Sequence, residues 1–326
     1  MYKLAIVGAT GLVGRTALKI LEGKNLPIYE YALFSSKKSA GKVIHFKDKD
    51  YIVRELNENS FRDEHFDFAI FSAGGTTSLK YSPIAAQNGC IVIDNSSAFR
   101  MDGDVPLVVP EVNPEDIKLN NGIISNPNCS TIQAVLPLKC LDDKYKIKRI
   151  VYSTYQAVSG AGINGIKDLE NGIKGIKNEK FPHPIYNNCL PHIDVFLDNR
   201  YTKEEEKMIN ETRKILHKPN LPITATCIRV PVFNCHSESI NVELENDFNL
   251  NTVIKELNNF ENIKVLDNLD KNIYPLATDC SGRDEVFVGR IRRDYSVKYG
   301  LNLWVVADNI RKGAATNAIQ ILEQLI

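Results

Sequence analysis

The chain has 326 residues with 40 basic and 40 acidic side chains, so its formal net charge is zero. That length suits two domains, and the balance of charge gives no electrostatic reason to expect nucleic acid or an anionic membrane as a partner. No apolar run approaches the ~20 residues of a membrane span. The seven cysteines lack the paired CxxC spacing of a zinc site, so no metal is expected. Free thiols of this kind fit a reducing compartment, the cytoplasm.

The opening run, Met-Tyr-Lys-Leu-Ala-Ile-Val-Gly, is strand-like from the start and leaves no room for a signal peptide. Lys3–Gly8 reads as a strand, Arg15–Glu22 as a helix through Ala17, Leu18 and Leu21, and Tyr29–Phe34 as a second strand. Phe66–Ser72 and Cys90–Asp94 read as further strands around a helix at Ser82–Asn88. Strands alternating with helices imply an α/β fold with a doubly wound parallel sheet. Ser130–Leu141 reads as a helix, and Lys148–Tyr155 begins a second strand system. Gln156–Gly165 is glycine-rich and reads as a loop near a ligand. Lys203–Leu216 is a charged helix whose Thr202 and Glu205 fit a capping box. Ala225–Val232, Ser239–Leu244, Val286–Arg292 and Leu301–Ala307 are strand-like, and Asn309–Ile326 reads as a closing helix.

Two segments carry chemistry. Gly8-Ala9-Thr10-Gly11-Leu12-Val13-Gly14 lies between the first strand and first helix, the context of a dinucleotide-binding turn. Gly11 lets the backbone approach a pyrophosphate, and Gly14 lets helix and strand pack closely. The end of the second strand decides which dinucleotide. Residues 34–41 contain no acid for a ribose hydroxyl; they offer Ser36, Lys37, Lys38 and Ser39, which attract a 2′-phosphate. The cofactor expected is therefore NADP.

The second segment is Asn126-Pro-Asn-Cys-Ser-Thr131, which puts Cys129 at a helix start. Free backbone N–H groups and the positive end of the helix dipole favour a thiolate there and can hold an oxyanion. The competing reading is a buried structural cysteine. His236 is a candidate acid or base, and Gln156 a candidate to orient a carbonyl. Arg229 and His236 are seven apart, which in a continuous strand would put them on opposite faces; Pro231 could re-aim them. Glu211 and Lys214 share a helix face, where such pairs are usually surface ion pairs.

Taken together, Gly8–Gly14, Ser72–Gly75, Ile93–Met101, Val108–Asn113, Asn126–Thr131, Gln156–Gly162, Asn210–Lys214, Arg229–Ser237 and Asp308–Ala315 resemble aspartate-semialdehyde dehydrogenases of the bacterial type over nearly the whole chain. The resemblance implies a Rossmann-like NADP-binding domain at 1–128, completed by the helix 309–326. It also implies an α+β catalytic and dimerisation domain with a mixed sheet at 129–308. It implies the NADP-linked, reversible conversion of 4-phospho-L-aspartate to L-aspartate 4-semialdehyde and phosphate, which feeds lysine, diaminopimelate, threonine and methionine. Cys129 would carry an acyl thioester, His236 move protons and Gln156 orient the acyl group. Arg229 would grip the substrate carboxylate and Glu211 the ammonium, with Arg100, Asn128 and Lys214 on the phosphate. Gly8, Thr10, Gly11, Leu12, Val13, Ser36, Lys38, Ser39, Ala73, Gly74, Ser159, Gly160 and Asn309 would contact the cofactor. A homodimer is implied, and tetramers occur among relatives. The rival within this chemistry is N-acetyl-γ-glutamyl-phosphate reductase, which needs no carboxylate for a free ammonium. A non-enzymatic NADP sensor would not need Cys129, and a cysteine hydrolase would not need Gly8–Gly14.

Overall fold

The structure, a computed structural model, describes residues 1–326. It divides into two compact units, Met1–Asn128 with Ala314–Ile326, and Cys129–Gly313.

The first unit opens with β1 (Tyr2–Val7), α1 (Leu12–Glu22) and β2 (Ile28–Ser35). A hairpin follows, β3 (Val43–Phe46) and β4 (Lys49–Ile52), turned by Lys47 and Asp48 with φ of 47° and 58°. Positive φ at both positions matches the twist of a two-residue hairpin. Next come β5 (Arg54–Glu55), β6 (Phe68–Phe71), α2 (Gly75–Gln87), β7 (Ile91–Asp94) and β8 (Ile123–Ser125). The strands form one parallel sheet in the order β5-β2-β1-β6-β7-β8. Its central strands, such as β6, are apolar on both faces, as a covered parallel sheet requires. Leu4, Ile6, Ile70 and Ile93 pack with Ala17, Leu18 and Leu21 of α1, and with Ala318, Ile319 and Leu322. Ala5, Val7, Phe71 and Val92 pack on the other face with Phe61, Phe66 and Ala85.

The second unit runs α3 (Cys129–Tyr145), β9 (Ile147–Gln156), α4 (Ile163–Ile173), α5 (Lys203–Ile215), β10 (Ile223–Arg229) and β11 (His236–Leu244). It continues with α6 (Leu250–Asn259), β12 (Ile263–Val265), α7 (Ala277–Cys280), β13 (Val286–Asp294) and β14 (Gly300–Ala307). Its sheet is mixed, in the order β10-β9-β11-β14-β13-β12. β9 pairs parallel with β10 and antiparallel with β11. Strict alternation along β11 buries His236, Glu238, Ile240 and Val242 on one face, and α3 packs against β9, β11 and β14. The capping box at Thr202 is present: its hydroxyl accepts from the Glu205 N–H, and the Glu205 carboxylate accepts from the Thr202 N–H at 2.7 Å.

Three of the segments read from the sequence take a different form. α2 starts at Gly75, well before Ser82, because Gly74 at φ 87° turns the chain directly out of β6 into the helix. The glycine-rich loop is short: a 3-10 turn at Val158–Ala161 leads straight into α4. The closing helix begins as a wide π-turn, Arg311–Thr316, before α8 (Asn317–Glu323). In α8, Asn317 is fully buried and its Nδ2 donates to the Val108 carbonyl at 3.0 Å and to Asn126 Oδ1 at 2.7 Å. It ties the end of the chain to the first sheet. Asn317→Ala strands those acceptors and should lower unfolding free energy by about 1–3 kcal/mol; an unchanged urea midpoint would refute the fastening role.

Candidate active site

In the first unit the order of strands reverses between β1 and β6, which is where ligands gather in open α/β sheets. Gly8 follows β1 and Ala73-Gly74 follows β6. Gly8 has φ +87°, and a Cβ there would lie 2.6 Å from the Ser72 carbonyl oxygen. A Cβ on Gly14 would lie 2.2 Å from the Gly8 carbonyl oxygen. Side chains are thus excluded at both positions. Gly11 caps α1 without a side-chain hydrogen bond, so Leu12, Val13 and their neighbours present the helix start uncovered. Thr10 and Ser35 share a hydroxyl hydrogen bond of 2.8 Å that fastens the loop to the end of β2. Ser36 and Lys38 are exposed and Ser39 half-buried in the turn that follows, with no carboxylate among residues 34–41. This cradle fits a dinucleotide, and the chemistry of its rim fits a 2′-phosphate. Arg100 is buried, its Nε donating to the Asn126 carbonyl at 2.9 Å and its Nη2 to the Asn95 carbonyl at 2.8 Å. Asn128 is buried at the end of this unit.

In the second unit the side chains converge at the ends of β9, β10 and β11. β10 stops at Arg229, and β11 begins at His236. The six residues between them reset the register, so the two side chains meet despite their spacing. A Cβ on Gly160 would lie 2.8 Å from Arg229 Nη1 and 3.2 Å from His236 Nε2, so the turn after Gln156 rests directly on both. Arg229 Nη1 donates to the Ala157 carbonyl at 2.7 Å, and the Ala157 N–H donates to His236 Nδ1 at 3.0 Å. With Nδ1 an acceptor, the neutral ring carries its proton on Nε2. That Nε2 is buried and has no partner within the protein.

Burial, and then the charge of Arg229, pull the His236 pKa down to about 3. The ring is therefore neutral at physiological pH. Cys129 opens α3 within electrostatic reach of Arg229. Gly313 packs against it: a Cβ there would lie 2.9 Å from the Cys129 Cβ. Gln156 is buried, and its Nε2 donates to Thr154 Oγ1 and to Glu204 Oε1, each at 3.3 Å.

Glu204 is the residue that sequence reasoning passed over. It lies in the first turn of α5, buried, with Lys207 Nζ 3.1 Å from its second oxygen. Its charge acts on both Arg229 and His236. Burial opposes the charge on Lys207, but Glu204 and Asp194 outweigh it and raise the Lys207 pKa. Glu211 and Lys214 occupy later turns of the same helix. Glu211 is buried on the Glu204 face but seven residues on, about 10 Å along the axis. It neighbours Thr212, whose hydroxyl meets that of Tyr152. Glu204 could have been found from its place in the first turn, beside the capping box that was read correctly.

Two further residues emerge. Glu238, two along β11 from His236, is fully buried with neither carboxyl oxygen hydrogen-bonded. Burial, and then the Glu204 charge, raise its pKa far above the usual range, so it sits there as a neutral acid. Asn309 Oδ1 accepts from the Cys235 N–H at 3.0 Å, and its Nδ2 donates to Ser159 at 3.0 Å. It locks the Ser159-Gly160 turn to the start of β11.

Comparison with known proteins gives the family. Residues 3–120 match the family described as "Semialdehyde dehydrogenase, NAD binding domain", and residues 138–312 match "Semialdehyde dehydrogenase, dimerisation domain". The chain is 57% identical to the aspartate-semialdehyde dehydrogenase of Aquifex aeolicus, covering 100% of this chain and 98% of that one. It belongs to the aspartate-semialdehyde dehydrogenase family.

Among solved family members, aspartate semialdehyde dehydrogenase II of Vibrio cholerae, complexed with ASA, superposes with a TM-score of 0.94 at 46% identity, over 100% of this chain and 98% of that one. The Candida albicans enzyme with NADP superposes at 0.78 and 27% identity, over 100% and 98%. Both the parallel first sheet and the mixed second sheet are thus those of an oxidoreductase family. No helix of this dehydrogenase is long and apolar enough to cross a membrane.

The depressed His236 pKa has a consequence for stability. Between about pH 6.5 and about pH 3 the unfolded chain binds a proton that the folded chain refuses. Stability from this residue therefore falls as pH drops through that window. His236→Asn should flatten the pH dependence of the urea midpoint there, relative to the unaltered protein. Parallel curves for the two would show that the ring is not held neutral.

Proposed function

We propose that the chain is an NADP-dependent aspartate-semialdehyde dehydrogenase. It interconverts L-aspartate 4-semialdehyde, phosphate and NADP⁺ with 4-phospho-L-aspartate and NADPH, and biosynthesis uses the reductive direction. The observation that carries this reading is the convergence of half-buried Cys129 with buried Gln156, Arg229 and His236.

Cys129 Sγ adds to the aldehyde carbon, and the start of α3 supports both the thiolate and the oxyanion that forms. The chemistry the dinucleotide supplies when bound is acceptance or delivery of one hydride. The carbon on Cys129 is then a thioester, and phosphate displaces the sulfur from it. His236 donates its Nε2–H to the oxyanion, because Nδ1 is already committed to the Ala157 N–H. Gln156 orients the acyl oxygen. Arg229 holds the substrate carboxylate with its planar fork.

The ammonium partner is Glu204, which replaces Glu211 in that role because it is the carboxylate bonded to Gln156. Lys207, paired with it, takes the place given to Lys214 beside the acyl phosphate. A carboxylate for a free ammonium also disfavours an N-acetylated substrate. Arg100 and Asn128 are assigned to the phosphate. The cofactor contacts are Gly8, Thr10, Gly11, Leu12, Val13, Ser36, Lys38, Ser39, Ala73, Gly74, Ser159 and Gly160, with Asn309 positioning the last two. The working assembly is a homodimer through the second unit, supported by the family description of residues 138–312. All seven cysteines are free thiols, which suits the cytoplasm.

The test is phosphate-dependent reduction of NADP⁺ with aspartate semialdehyde, run beside NAD⁺. Cys129→Ala should lower kcat by on the order of a thousandfold or more while NADPH still binds; substantial turnover in that variant refutes the covalent route. Glu204→Gln should raise KM for aspartate semialdehyde by roughly tenfold to a hundredfold, as loss of a charge-assisted hydrogen bond does. Glu211→Gln should leave that KM in place. The reverse ranking would return the ammonium to Glu211.

A further inference from the structure

The segment between α4 and α5 contains no long helix or strand, yet a single side chain holds its middle. Asp168, on α4, is 2% exposed. One carboxylate oxygen accepts the Glu179 N–H and the other accepts the Lys180 and Phe181 N–H groups, each at 2.8 Å. Burial alone would raise this carboxyl's pKa. The three amides, that of Glu179 first, outweigh it and hold the group below the usual carboxylate range. Three consecutive N–H groups on one carboxylate form a rigid clamp, since each bond is charge-assisted.

The clamp fixes Phe181. Its ring packs with Val158, Leu169, Ile185 and Leu190. Room for it is made at Gly165, where a Cβ would lie 3.3 Å from Phe181 Cζ. The ring sits 6.0 Å from the Arg229 guanidinium carbon. The same segment returns to Arg229 through its backbone: Leu190 N–H donates to the Arg229 carbonyl at 2.9 Å, and Arg229 N–H donates to the Leu190 carbonyl at 2.8 Å. Arg229 is thus bounded by the Ala157 carbonyl at Nη1, by Gly160, and by an aromatic ring that Asp168 positions.

We propose that Asp168 and Phe181 are positioning residues for Arg229: the aspartate fixes the 179–181 backbone, and the ring so placed holds the guanidinium in the orientation that grips the substrate carboxylate. This rests on the assignment of Arg229 to that carboxylate. At 6.0 Å the guanidinium is at the outer edge of cation–π range, where the ring restricts its rotation without taking its charge, so the fork is set before substrate arrives. The effect is expressed in substrate binding, since hydride and phosphate transfer occur at Cys129.

The test is steady-state kinetics of the full chain, with aspartate semialdehyde, phosphate and NADP⁺ varied separately. Phe181→Leu and Asp168→Asn should each raise KM for aspartate semialdehyde by about tenfold, the size of a desolvated cation–π contact. In both, kcat should change less than about threefold, and KM for NADP⁺ should not move. Phe181→Tyr keeps the ring and should restore the KM. The double variant should be no worse than the worse single one, because both act through the same ring. A lowered Tm with an unchanged aldehyde KM in Phe181→Leu would overturn the proposal, as would fully additive effects in the double variant. Arg229→Leu is run alongside. If it raises the aldehyde KM and Phe181→Leu does not, positioning fails while the assignment of Arg229 stands; if Arg229→Leu itself leaves KM unchanged, that assignment fails.

Discussion

Both polar backbone atoms of Ala157 are committed to side chains of the site. Its carbonyl takes Arg229 Nη1 and its N–H reaches His236 Nδ1. Ala157 sits where β9 ends, and β9 lies between β10 and β11, so one residue orients the last residue of one neighbour and the first residue of the other. The sheet order makes this possible. A parallel partner brings Arg229 level with Gln156, and an antiparallel partner brings Ser237 level with Tyr155, so β10 ends and β11 begins at the same edge. The rest follows from it. Gly160 must lack a side chain because its turn lies on the two groups so placed, and Asn309 holds that turn down.

The electrostatics of the cluster are balanced by leaving groups neutral. Arg229 is buried, and burial lowers its pKa against the opposing charge of Glu204. A second cation on His236 would have no further anion to face. Burial and Arg229 keep that ring uncharged. A second anion on Glu238 would repel Glu204, and burial keeps that carboxyl protonated. Desolvation is the first cause in all three cases, which is what a water-poor site imposes on any ionisable group. One arginine and one carboxylate thus remain charged beside Gln156, with Lys207 bridging outward to Asp194.

The parts legible in the sequence were those set by local geometry. Gly8–Gly14 announces itself because a tight turn and a close helix–strand contact both exclude a Cβ. Cys129 does so because Asn-Pro-Asn precedes a helical run, and α3 does begin at that residue. What was not legible depends on pairing between distant strands. Seven-residue spacing gave Arg229 and His236 opposite faces, and only the break at residues 230–235 puts them together. Glu204 and Glu211 share one face of α5, and helical periodicity cannot say which turn of a helix lies over the end of β9. The hairpin of β3 and β4 escaped notice because Lys47-Asp48 lacks the glycine that usually marks such a turn. The π-turn escaped too, because its pattern of apolar residues is that of an ordinary helix.

The role proposed for Glu204 also has a thermodynamic side. A buried carboxylate waiting for an ammonium is costly if nothing solvates it in the meantime. Glu204 avoids that state. One oxygen accepts from Gln156 and the other faces Lys207, so the anion is stabilised before any substrate is present. The Gln156 contact, at 3.3 Å, is long and weak, and the amide can yield part of it without stranding either group. A substrate ammonium would then join an existing network and share its acceptor. The same amide is the one assigned to the acyl oxygen, so binding of the ammonium and orientation of the reacting carbonyl become linked through a single side chain.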